Sequence, residues 1–89
     1  MQKIDTAELQ NKVQNQNKLV GLRQVVRHLE KLGGHLGCVV VASDAEQRIK
    51  SLVEDLAQKY GVPLLEYESK AQMGEIAGIK VDCAVLGLI

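Results

Sequence analysis

Phenylalanine and tryptophan are absent from this sequence, and Tyr60 and Tyr67 are its only aromatic residues. A general single-strand nucleic-acid binder stacks successive bases on aromatic rings, and two tyrosines offer little for that. Cysteine is nearly as scarce. Cys38 and Cys83 stand alone in apolar, strand-like runs, with no CxxC spacing and no histidine partner. They do not make a metal site and read instead as two small buried hydrophobes. No apolar run approaches the roughly 20 residues of a membrane span. The opening MQKIDTAELQ lacks the apolar core of a secretory signal, so a cytoplasmic location is the expectation, with no membrane partner. An excess of either charge is missing too, with 11 Lys and Arg against 11 Asp and Glu. That balance argues against a protein that coats nucleic acid indiscriminately.

Enzyme signatures are also lacking. The chain has no GxSxG, no HExxH and no P-loop. Gly33, Gly34 and Gly37 do not fit GxGxxG in spacing or context. His28 and His35 fall one on a helix and one in a loop, with no carboxylate placed near either, and read as surface histidines. Glu66 and Glu68 alternate with Leu65 and Tyr67, which puts both on one solvated strand face. No catalytic activity, cofactor, metal or small-molecule substrate is expected.

What is present is a single domain of 89 residues, 46% hydrophobic and 25% charged, an ordinary globular composition. Residues 1 to 17 read as an N-terminal helix and tail, with the tail at 1 to 4. Asp5 caps the helix, Glu8 stands at the reciprocal capping position, and Ile4 and Leu9 make the staple around them. Lys18 to Gly21 read as a short strand and 22 to 32 as a second helix, ended by Gly33 and Gly34. CVVVA, 38 to 42, is continuous and β-branched, as in a strand buried on both faces. Ser43 and Glu46 have the spacing of a capping box for the next helix. Ile49, Leu52, Val53, Leu56, Ala57 and Tyr60 make that helix's apolar face, and Gly61 and Pro63 stop it. LLEY, 64 to 67, is a strand. Ser69 and Gln72 cap a short helix to Ala77, and CAVLGLI, 83 to 89, is a last strand. The order αβαβαβαβ predicts an α/β fold: a three-layer α/β/α sandwich with a small four-stranded, mostly parallel, mixed sheet.

One stretch departs from what stability alone would choose. In LVGLRQVVRHL the apolar residues Leu22, Val25, Val26, Leu29 and Leu32 recur at helical spacing, yet the first turn carries Arg23, with Arg27 one turn on. A helix N-terminus is partly positive and normally attracts acids. Arg23 and Arg27, four apart, share a face, with Gln24 at its edge. Arginines beside the unpaired N–H groups of a first turn make an anion site in two ways. Arginine's fork fits a phosphate or the O6 and N7 of guanine, and glutamine both donates and accepts. The bland alternative is a solvated face in which Arg27 pairs with Glu30. The basic residues are concentrated in the same part of the chain: residues 1 to 31 hold Lys3, Lys12, Lys18, Arg23, Arg27 and Lys31 against Asp5, Glu8 and Glu30. A second oddity is AGIKVD, 77 to 82, where Ile79 and Val81 flank Lys80 in an expected loop. Apolar residues around a base suit packing against unstacked nucleotides. Alternatively, Ile79 tucks under the sheet after a helix C-cap.

From Lys18 to Ile89 the chain resembles the kink-turn-binding ribosomal proteins, a family that includes the archaeal large-subunit protein, the box C/D core protein and short bacterial homologues. VGLRQVVRHL, VVVASDAE, YGVPLLEYESKAQMGEIAGIKV and the closing apolar strand carry the likeness in order and spacing. The resemblance implies an α/β/α sandwich, residues 18 to 89 being the family core, that recognises a kinked RNA with a bulge and tandem sheared G·A pairs. Most of the family opens the helix with Gly-x-Asn-Glu-x-x-Lys. Here Gly21 matches the glycine, Arg23 the asparagine, Gln24 the glutamate and Arg27 the lysine, so only the glycine is identical. The short bacterial homologues carry a similar basic-Gln version. By the same resemblance Glu46 touches bulge nucleotides, Lys70 lies near the RNA backbone, and Ile79, Lys80 and Val81 pack on the bulged nucleotide. Lys18 and Lys31 are expected to contact phosphates.

The expected function is therefore recognition and stabilisation of kink-turns in ribosomal RNA, a riboswitch or another structured RNA by a monomeric protein. The alternative is a protein–protein adaptor on the same fold with weak or lost RNA binding.

Overall fold

The computed structural model describes residues 1–33 and 35–89. Its elements are β1 (Gln2–Lys3), α1 (Thr6–Asn15), β2 (Lys18–Val20), α2 (Leu22–Leu32), β3 (Cys38–Ala42), α3 (Gln47–Tyr60), β4 (Leu64–Tyr67), α4 (Lys70–Ala77) and β5 (Val85–Leu88). The sheet order is β1-β4-β3-β5-β2. β1 and β3 both pair parallel with β4, whereas β5 pairs antiparallel with β3 and with β2. Four strands thus point one way and β5 alone opposes them, so the sheet is mixed and mostly parallel, as expected.

The strand count differs from the expected four. Residues 1 to 4 do not form a tail: Gln2 and Lys3 pair with Leu65 and Glu66, and the Ile4 N–H donates to the Glu66 carbonyl at 2.9 Å. Two exposed polar residues carry no strand signal of their own. Their position comes from Ile4, which is buried in the core beside Leu9.

The core has two halves because β3 alternates. Val39 and Val41 face a cluster with Val25 and Leu29 of α2 and Val53 of α3. Cys38, Val40 and Ala42 face Leu9 of α1, Met73 and Ala77 of α4, Tyr67 and Leu86. Helices therefore cover both faces, α2 and α3 on one and α1 and α4 on the other. Every residue of β3 is buried, as a central strand in such a sandwich must be.

The capping expectations divide. Asp5 accepts from the Glu8 N–H and Ser69 from the Gln72 N–H, as their spacing predicts. Ser43 and Glu46 do not form a cap. The Ser43 N–H instead extends the β3–β4 ladder by donating to the Tyr67 carbonyl at 2.7 Å, and the Ala45 N–H closes a turn on the Ala42 carbonyl. This turn uses up residues 43–45, so α3 begins later, at Gln47, without a side-chain cap. Leu52 stands off the buried face of α3, exposed. The last strand is confined to 85–88, since Cys83 and Ala84 still belong to the approach from α4. Gly34, expected beside Gly33 at the end of α2, lies outside the described residues.

Candidate functional site

The parallel strands β2, β3 and β4 all end on one side of the sheet, where β5 begins. Val20 there leads to Gly21, whose N–H donates to the Val85 carbonyl at 2.9 Å. Gly21 has φ 91°, a conformation that L side chains rarely adopt, and it is the N-cap of α2. A glycine here lets the chain leave the edge strand and turn directly into the helix. As it brings no side-chain cap, the first turn of α2 keeps its N–H groups available.

Arg23, Gln24 and Arg27 are exposed on this helix. Among the described residues two ion pairs form, Arg48–Glu46 at 3.8 Å and Lys50–Glu66 at 3.7 Å. Neither involves α2, so Arg27 does not pair with Glu30. Gln24 differs from the expectation of a group free to donate and accept. Its Oε1 accepts from the Val20 N–H at 3.2 Å. The Gly21 N–H is already committed to β5, so this third residue of the helix reaches one residue further back than in an ordinary capping box. What remains outward is its amide NH2. The end of α2 therefore presents donors: two guanidinium forks, one amide and the first-turn N–H groups.

The neighbouring loops complete this end of the molecule. Glu46, at the start of α3, is exposed and is the one carboxylate of the expected set, paired loosely with Arg48 at 3.8 Å. Lys70 opens α4. Its backbone N–H donates to Asp44 Oδ1 at 2.9 Å, and its carbonyl accepts from the Cys83 N–H at 2.9 Å. Asp44 thus ties the β3–α3 turn to α4. Reading along the chain misses this role, because the two residues are 26 positions apart and no local spacing marks the pair. Ile79 is half-buried against the α1/α4 core, as the tucked alternative predicts, while Lys80 is exposed and Val81 is 70% exposed.

Gly21, Arg23, Gln24, Glu46 and Lys70 therefore stand just past the ends of β2, β3 and β4, with Arg27 one turn below, while Ile79, Lys80 and Val81 lie on the segment that leads from α4 to the start of β5. Lys18 does not join them, and Lys31 lies further down the same helix. Lys18 starts β2 opposite Leu88, at the other end of the sheet, and Lys31 lies in the last turn of α2, about 12 Å along the axis from Arg23. Arg27 and Lys31 line a shallow groove with Leu19, Gln24, His28 and Leu32, which runs down the helix from the site. There His28 Nε2 bonds the His35 carbonyl at 2.8 Å.

The thiols take no part. Burial pushes both Cys38 and Cys83 above their ordinary value, against a smaller lowering by Lys12 for Cys38 and by backbone hydrogen bonds at Gly21 and Val85 for Cys83. Among the described residues no group of three His, Cys, Asp or Glu side chains is placed to hold a metal ion, and no helix is long and apolar enough to cross a membrane.

Residues 5–89 match the model of the ribosomal protein L7Ae/L30e/S12e/Gadd45 family. The chain belongs to that family. The match takes in α1 as well as the core from Lys18 onward. A relative from Bacillus pumilus, named an RNA-binding protein, is 32% identical over 76 residues, covering 85% of this chain and 90% of that one. Another RNA-binding protein, from Halalkalibacterium halodurans, is 31% identical over 70 residues, covering 79% of this chain and 83% of its own. Among solved structures, a Giardia lamblia 15.5 kD RNA-binding protein superposes with a TM-score of 0.74 at 20% identity, over 90% of this chain and 66% of its own length. A Bacillus halodurans protein of unknown function does so with 0.75 at 24% identity, over 90% and 78%. These two likenesses are of fold.

Proposed function

We propose that this protein binds structured RNA through the end of α2 and the loops beside it, and that its target is the kink-turn. The observation that carries the reading is the donor cluster at the α2 N-terminus. Arg23, Arg27 and the Gln24 amide stand where a stable helix would carry acids, with no carboxylate paired to either arginine. A ligand rich in acceptors compensates that arrangement. Guanine presents O6 and N7 side by side, a match for an arginine fork, and phosphates suit the unpaired first-turn N–H groups. Glu46 adds an acceptor for base amino groups. Lys80 and Val81 offer a charged and an apolar contact to a nucleotide out of the stack. Membership of the family and the names of the two bacterial relatives support the RNA reading, and the resemblance to kink-turn binders supports the finer one. Ribosomal RNA and riboswitches are the settings in which such motifs would be met.

The mechanism is selection. A protein that fits the kinked geometry shifts the RNA population towards it, by as much as it prefers that form over the extended one. The test is binding, at one fixed moderate salt, to an RNA with a bulge and tandem sheared G·A pairs and to the same RNA with G·C in their place. Strong preference for the first is expected. Equal weak binding to both would leave only nonspecific phosphate contact and would favour an adaptor role on this fold.

A further inference from the structure

Between α4 and β5 the chain doubles back along the helix it has just left. The Gly78 N–H donates to the Glu75 carbonyl and the Ile79 N–H to the Gly74 carbonyl, at 3.1 and 3.0 Å. Four residues on, the Cys83 N–H donates to the Lys70 carbonyl at 2.9 Å. The 79–83 segment is thus fastened to α4 at one turn and again at the turn before it. Between the two fastenings the segment lies directly on the helix at Gly74, which is buried in the interior of α4. A Cβ built on Gly74 would fall on the Val81 carbonyl oxygen, 3.2 Å from the Val81 carbonyl carbon and 3.4 Å from Asp82 Cα. All of these are backbone atoms, so no side chain can swing aside to make room. Helix propensity alone favours alanine over glycine in a helix interior. The contact with Val81 gives a physical reason for glycine at this one place.

We propose that Gly74 is a positioning residue of the RNA contact: the absence of its side chain lets the 79–81 segment lie on α4 and hold Lys80 and Val81 out towards a bulged nucleotide. This inference rests on the RNA reading above. An added methyl lifts the segment at Val81 while its ends stay tied at Gly74 and Lys70, so the exposed side chains lose their aim.

The test uses a kink-turn RNA carrying its bulged base, the same RNA with an abasic residue at that position, and the G·C control. Wild-type protein should prefer the based RNA over the abasic one. Gly74→Ala should keep a cooperative unfolding transition and its preference for either kink-turn over the control, yet bind the based RNA at least tenfold more weakly and lose most of the preference for the base. Val81→Ala should lose the same preference without touching the helix. Gly74→Ala with an undiminished base preference overturns the inference and leaves the RNA reading standing. Wild-type protein that does not separate kink-turn from control overturns both. If Gly74→Ala fails to fold, amide exchange of the wild-type protein decides: protection of Ile79 and Cys83 supports the strapped segment, and exchange of Cys83 as fast as an unbonded loop amide overturns it.

Discussion

Arg23 and Gln24 are neighbours in the chain with different duties. Gln24 is half occupied by the protein, its carbonyl oxygen held by the Val20 N–H, whereas Arg23 is exposed and meets no carboxylate. Arg23→Ala is therefore expected to reduce kink-turn affinity by about 1–3 kcal/mol if the fork takes guanine. The folded state should be unchanged or stabilised by a few tenths of a kcal/mol, since a cation leaves the positive end of the helix. Binding titrations at fixed salt and thermal melts check the two halves separately. Unchanged affinity would remove Arg23 from the interface. Tyr67 is the opposite kind of residue, only 1% exposed. Its hydroxyl lies 2.7 Å from Thr6 Oγ1 and donates to Gln72 Oε1 at 2.9 Å, joining α1, β4 and α4. Tyr67→Phe removes both bonds, leaving two exposed partners to water, and should lower stability by about 0.5–1.5 kcal/mol, read as a lower urea midpoint with an unchanged m-value.

Among the elements, what could be read from the chain was what is local. The caps at Asp5 and Ser69 have donor and acceptor three residues apart, and α2, β3 and α3 carry their own periodicity. What could not be read depends on partners distant in sequence. β1 is a strand only because β4 lies beside it, and Ser43 fails as a cap because pairing with Tyr67, 24 positions on, keeps it in the ladder while a turn over 43–45 delays the helix to Gln47. The candidate site divides in the same way. Its residue types and the oddity of Arg23 were visible, but the Gln24 tether, the Asp44 tie and the glycine under Val81 needed the fold. Lys18 looked eligible by charge alone, and topology puts it at the far end of the sheet. Asp44→Ala tests one of these hidden ties. It removes the acceptor from the first N–H of α4, which should cost about 1 kcal/mol and speed amide exchange in that first turn while leaving α1 unaffected.

At the scale of the molecule, charge and burial make two further predictions. RNA affinity should fall linearly on log–log axes with salt. Lys80→Ala should flatten the slope by about 0.9 if that lysine meets a phosphate, whereas Lys18→Ala should leave it unchanged. The thiols contribute to alkaline stability. Burial keeps Cys38 and Cys83 protonated above their ordinary value of 9.0 when folded, so above about pH 9 the unfolded chain gives up protons that the folded one retains. Stability should hold below that pH and decline as pH rises through it, and thiol reagents should label neither cysteine until the protein unfolds. Finally, among the described residues β5 is the only strand that touches both β2 and β3. During synthesis the segment leading into the arginine helix has no sheet partner until residues 85–88 have emerged. Translation would release the donor-rich end of α2 early but fix its orientation late, so, on the proposed RNA reading, a chain arrested before Val85 should bind RNA without telling one sequence from another.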